Sequence, residues 1–238
     1  QIAVQGSNRY IGRELRLPRT CCFYRSIRRM PINWTKDVTD ELSLRASPLR
    51  EAWEARGPGL LMSLQRNIFG VSGSRDWPSA TVTIIPRLPK GGAGGEIDVD
   101  KSIVYINAVL ANPLPQLPEV VRLGWLIGRI GIEASPSQRA THALALVPAI
   151  LNSAADVDLA RCDRPTVALA LETWILEYSS SLAVEPLADV LWRWWTDTSA
   201  ATQRSEASSS RWAESVAKLA VRLERQADSD DVEQGEDS

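Results

Sequence analysis

His142 is the only imidazole in the chain. A metal site built on two histidines is therefore excluded within one chain, and any serine or cysteine couple would have to use this residue. It lies between Thr141 and Ala143 on a segment that reads as helical, and no G-x-S-x-G surrounds any serine. His142 reads as a surface or capping residue. The cysteines are Cys21, Cys22 and Cys162. With His142 they number four ligands, but C-x2-C spacing is missing, and neighbouring side chains in an extended segment point opposite ways. No metal and no cofactor are expected. A reactive thiol at Cys21 or Cys22 would gain from Arg19, Arg25 and Arg28, which favour the thiolate. Packing of a small residue is the plainer reading. Gly91–Gly95 invites a phosphate loop, yet Glu96, Asp98 and Asp100 follow where a Lys-Ser/Thr pair is needed. Those three acids alternate, so a strand would place them on one solvated face.

Two other clusters point to binding rather than catalysis. The first thirty residues hold arginines 9, 13, 16, 19, 25, 28 and 29 against Glu14 alone, a local charge of +6. Tyr10, Phe23 and Tyr24 interleave with them. Arginine with aromatic rings is the composition of single-stranded nucleic-acid sites, but the overall pI of 5.6 argues against that partner. A protein partner, or an acidic part of the same chain, fits better. Arg16, Arg19, Arg25, Arg28 and Arg29 are the candidate interaction residues of this arm. The second cluster is Trp192-Arg193-Trp194-Trp195. On a helix, Trp194 lies about 200° from Trp192, so one flat contact does not bury all three rings. Trp192 with Arg193 is the pair expected to stay accessible.

One passage carries a resemblance. A strand ending in Ile106-Asn107 is expected at a sheet edge. It is followed by a proline-containing turn and a helix with Leu123-Gly124-x-Leu126-x-Gly128. This resembles the zincin metallopeptidase core over about 50 residues. There the helix carries H-E-x-x-H, whose two imidazoles share a face and chelate zinc. The matching positions here are Val121, Arg122 and Trp125, so none of the three chemical residues is present. The resemblance implies a degenerate, metal-free relative that is not a protease. Read from the residues alone, Val121 and Trp125 are core.

The elements that must position these residues follow from pattern. At 238 residues, 44% hydrophobic and 24% charged, the chain has the composition of a globular domain with a substantial core. Ser47-Pro48 reads as a helix start and Gly57-Pro58-Gly59 as its stop, with a second helix over Leu60–Phe69. Thr81–Ile85 and Lys101–Ile106 are β-branched and read as strands. Pro118 to Ile130 is apolar nearly all round, which predicts a buried central helix. Further helices are expected from Ser135 (kinked at Pro148), from Asp163-Arg164-Pro165 and from Glu185-Pro186. A last one, Arg211–Gln226, carries Trp212, Val216, Leu219 and Leu223 at 4-3-4 spacing. The fold class is mainly α with a small β insert: a helical domain with a two- or three-stranded sheet.

The expected organisation is a basic arm over 1–30 and a helical domain over 31–197 with its β insert at about 80–107. A linker over 198–210, an amphipathic helix over 211–227 and an acidic disordered tail over 228–238 follow. Residues 224–238 hold seven acids against Arg225, a local charge of −6 that offsets the arm. The leading functional expectation is a non-catalytic interaction or scaffold protein. Its partner is a protein, a second copy through the C-terminal helix included. A carboxylate-based enzyme and a single-stranded nucleic-acid binder are the alternatives. No apolar run is long enough to cross a membrane, and neither an apolar leader nor a disulfide framework is legible, so a cytoplasmic location is expected.

Overall fold

A computed structural model of the protein describes residues 2–4, 13–16, 36–70, 77, 79–85, 95–107, 114–132, 134–135, 137–175, 184–202 and 209–235. The order is β1 (Ile2–Val4), β2 (Arg13–Arg16), α1 (Lys36–Phe69), β3 (Thr81–Ile84), β4 (Glu96–Asp98) and β5 (Ile103–Ile106). The helices α2 (Glu119–Gly131), α3 (Arg139–Ala155), α4 (Arg164–Trp174), α5 (Val184–Thr202) and α6 (Ser209–Gly235) complete it. The molecule is mainly helical with a small mixed sheet, as the pattern predicts.

The expected helix–stop–helix at residues 47–69 is one helix, α1, with Pro48 and Pro58 inside it. Each proline removes a backbone hydrogen bond and costs about 3 kcal/mol in a helix interior. Burial outweighs that cost. Leu42, Ala46, Leu49, Trp53, Leu60, Leu64 and Ile68 are each at most 3% exposed, and they recur at helical spacing. Gly57 completes the stripe. The Trp53 ring lies over it, so closely that an added Cβ would fall 2.4 Å from ring carbon Cδ2. This glycine serves packing, not termination.

The sheet runs β1-β2-β3-β5-β4. Its centre is the parallel pair β3–β5, with Val82 opposite Val104 and Ile84 opposite Ile106. These four side chains are fully buried and belong to the main core. Antiparallel β4 closes one side. Two features differ from expectation. β5 is internal, with β4 rather than β5 at the edge, because the Val99–Ser102 turn folds β4 back alongside it. The sheet also has five strands, since β2 pairs antiparallel with β3 and brings β1 with it. The arm therefore contributes two strands to the domain.

α2 is the central helix. Eleven of its residues, including Arg122, are buried, and it touches α1, α3, β4 and β5. Gly124 and Gly128 admit the neighbours: an added Cβ would meet Leu60 Cδ2 at 2.6 Å and Leu64 Cδ2 at 3.0 Å, respectively. α4 begins as expected. Asp163 caps it, accepting from Thr166 N at 2.9 Å and Thr166 Oγ1 at 2.6 Å.

The C-terminal boundaries differ from the pattern. α5 runs to Thr202, and α6 begins at Ser209, so the linker is shorter than 198–210. α6 continues to Gly235, through most of the stretch expected as a disordered tail, because a helix once nucleated extends at little cost per residue. Its apolar stripe packs on its own domain: Trp212, Val216 and Leu219 are buried against α1, α3 and α5. That stripe is thus already covered without a second copy. Among the described residues no helix is long and apolar enough to cross a membrane.

Candidate functional site

The residues singled out for chemistry are scattered through the core, the surface and the part outside the described residues. Val121 and Trp125 are buried on α2. The Trp125 indole donates to Ala143 O at 2.9 Å and stacks on Trp174 at 5.4 Å between ring centroids. Arg122, 6% exposed, donates from Nη1 to Asn107 Oδ1 at 3.2 Å and from Nη2 to Asn107 O at 2.9 Å. It also pairs with Glu119. Arg122 thereby ties the end of β5 to the start of α2. Burial pushes the Glu119 carboxyl above its usual range, and the charge and hydrogen bond of Arg122 pull against that.

His142 sits on the first turn of α3, half-buried. Its Nδ1 is buried without a hydrogen-bond partner, and burial lowers its pKa. Cys162 is a half-buried thiol pushed up to about 11 by burial and then by Asp163, against an opposing hydrogen bond from Trp195. Such a thiol is not a nucleophile at neutral pH. Cys21, Cys22 and residues 91–94 lie outside the described residues. Glu96 and Asp98 belong to β4 and Asp100 to the following turn; Asp98 accepts from Lys101 N at 3.1 Å and pairs with its ammonium. Among the described residues, no three His, Cys, Asp or Glu side chains gather where they could hold a metal ion.

The tryptophan cluster divides as the helical geometry requires. Trp194 and Trp195 are 2% and 5% exposed, whereas Trp192 is half-buried. Trp194 anchors α6: its indole donates to Ser215 O at 2.8 Å, and its ring meets Trp212 edge-on at 5.9 Å. Arg193 points the other way and is exposed. It lines a groove of about 310 Å³ together with Val190 of α5 and Arg222, Arg225 and Gln226 of α6. Arg222 Nη2 donates to Asp197 Oδ2 at 2.9 Å, one α5 turn beyond Arg193. Three guanidinium groups thus line one groove.

No family model matches this chain, and no curated protein or solved structure is similar to it. The local chemistry alone bears on function. A second groove of about 600 Å³, between α4 and the start of α5, differs in character. Its Arg164 is engaged by acids of its own chain: it pairs with Glu185, and Nε donates to Asp189 at 2.8 Å. The α5–α6 groove brings three arginines together instead, one of them, Arg222, paired with Asp197. Guanidinium forks match carboxylates and phosphates, often in bidentate fashion.

Of the candidate interaction residues, Arg193 lines this groove and Trp192 lies beside it on α5. Arg16 belongs to β2, opposite Thr81. Arg19, Arg25, Arg28 and Arg29 lie outside the described residues. Arg222, Arg225 and Gln226 were not legible as site residues. Their spacing of three and four places them on one side of α6, but only the packing of α6 on α5 brings them to Arg193.

Proposed function

We propose that the protein is a non-catalytic interaction protein, acting in the cytoplasm, that binds an acidic segment of a protein partner in the α5–α6 groove. The observation that carries this reading is the meeting of Arg193, Arg222 and Arg225 around one groove. Contacts of this kind steer association and select against cationic partners. The test is affinity capture with the full chain and with Arg193→Glu/Arg225→Glu. A protein partner must be recovered with the first and lost with the second. Recovery of the same partners with both would refute the reading.

A carboxylate-based enzyme is the second reading, favoured by one observation: Glu119 is a largely buried carboxyl with a raised pKa beside Arg122 and Asn107. Carboxyls of this kind recur at catalytic sites and also in structural ion pairs. A hydrolytic activity of the purified chain that is lost in Glu119→Gln while the fold persists would establish it. An activity unchanged in that variant would remove it.

A further inference from the structure

We propose that the outer face of α1 joins two copies of this chain, their helices antiparallel about a two-fold axis level with residue 53. The inner face of α1 is its buried stripe, with Trp53 and Leu60 at the middle. At about 100° per residue, the opposite side carries Leu44, Pro48, Glu51, Ala55, Pro58 and Met62, all within about 40° of one line. All six are exposed. Leu44 and Met62, at 64% and 60%, are the two most open large apolar side chains among the described residues. Glu51 alone of the six is charged. The core gains nothing from this second apolar face, and each of its prolines removes a helix hydrogen bond.

The 4-3-4-3-4 spacing makes a heptad seam about 27 Å long. It reads the same from either end, and so does its chemistry. In a helix turned end for end about residue 53, Leu44 faces Met62 of the second copy, Pro48 faces Pro58 and Glu51 faces Ala55. One turn beyond each end, on the same line, Asp40 faces Arg66, and both are exposed. Other charges of α1 are engaged within the chain: Arg45 pairs with Glu41 and Arg50 with Glu54, and Arg56 donates to Val157 O at 3.1 Å. Asp40 and Arg66 take no part in those pairs. An acidic or a basic partner would suit one end of the seam and oppose the other; the same helix reversed suits both. Such a contact is isologous, so it closes as a pair. The two Glu51 carboxylates lie about 6 Å apart along the axis and repel across it. With one helix from each copy, the contact is smaller than a standard stable interface, and the pair is weak. This face belongs to another element than the α5–α6 groove, and the inference stands apart from the reading of that groove.

Sedimentation equilibrium of the full chain over a wide concentration range tests the pairing. A monomer–dimer equilibrium is expected. Leu44→Glu/Met62→Glu should weaken it at least about tenfold, because both apolar contacts are lost twice over. Asp40→Arg and Arg66→Asp should each weaken it about threefold or more. The combined Asp40→Arg/Arg66→Asp should return it to the wild-type value, since the swapped charges meet again only in the antiparallel register. Glu51→Ala should tighten it by relieving the repulsion across the axis. Should Leu44→Glu/Met62→Glu remove the thermal transition, Leu44→Ser/Met62→Ser takes its place with the same outcome. A chain that stays monomeric throughout overturns the proposal, as does association that survives loss of Leu44 and Met62. A charge swap that fails to restore association overturns the register. Groove reversal (Arg193→Glu/Arg225→Glu) should leave the equilibrium unchanged; its loss there would place the interface at α5–α6 and overturn the proposal.

Discussion

Replacing Gly124 by alanine probes the centre of the fold. The new Cβ would lie 2.6 Å from Leu60 Cδ2 and 3.2 Å from Ile150 Cδ1. Both neighbours are fully buried, one on α1 and the other on α3, so neither has free space to enter. Overpacking of this kind costs about 1–3 kcal/mol. Alanine returns about 1 kcal/mol of helix propensity. The 2.6 Å approach calls for the upper half of the overpacking range, so a net loss of about 1–2 kcal/mol is expected, lowering Tm by about 4 °C for a chain of this size. Gly128→Ala is the internal control. Its Cβ would meet only Leu64 Cδ2 closely, at 3.0 Å, with Leu146 Cδ2 at 3.7 Å. A shift of a few tenths of an ångström in one leucine methyl relieves it, and the propensity gain offsets the rest. That variant should stay within about 0.5 kcal/mol of wild type. Urea and thermal melts of the two variants, with m values to confirm a common unfolded state, make the comparison. Gly124→Ala as stable as Gly128→Ala would refute the close crossing of α1 and α3 over α2.

Three further outcomes follow from named groups. Asp163→Ala removes both hydrogen bonds from Thr166 and should cost about 1 kcal/mol. Asp163 has a lowered pKa, chiefly through the Thr166 side-chain hydrogen bond. Its contribution is therefore present above the ordinary aspartate range and lost as pH falls through the folded-state value. The stability difference between variant and wild type should vanish in strong acid; a pH-independent difference in denaturant melts would count against the cap. His142, as the sole histidine, gives one imidazole signal in a proton NMR titration. Burial depresses its pKa, so its midpoint should fall below about 6.5, with stability declining as pH drops from there through the folded-state value. A midpoint above 6.5 would contradict its half-buried setting. Cys162, pushed up to about 11, should resist iodoacetamide at pH 8 in the folded protein and react once urea unfolds it; peptide mapping by mass spectrometry reads this, and rapid labelling of the folded chain would show the thiol to be open.

The parts of the fold that sequence made legible are those set by local chemistry. The apolar run from Val120 to Ile130 required burial on every side, and Asp163 before Arg164-Pro165 announced a helix start. The β-branched residues of β3 and β5 marked strands. What stayed hidden was decided by distant partners. Gly57-Pro58-Gly59 carries every local sign of a break, and only the Trp53 ring over Gly57 shows why the helix continues. Residues 198–210 looked polar enough for a linker, yet the first of them extend α5, where Thr198 Oγ1 meets Ser215 Oγ at 2.8 Å. The site divides in the same way. Arg193 was legible beside a tryptophan cluster too crowded for one flat face. Arg222 and Arg225 belong to another helix, and no local pattern connects residues of α6 to residues of α5.

The ring cluster at the α5–α6 junction has an optical consequence. Trp194 lies 6.1 Å from Trp195 on its own helix and 5.9 Å from Trp212 on α6, with the two pairs at interplanar angles of 49° and 68°. Indole transitions held this close and skewed couple and give rotational strength in circular dichroism. The second of the two couplings exists only while α6 is docked. The molecule thus carries a built-in chromophoric gauge of its last helix, one that reads detachment of α6 separately from loss of the remaining helices.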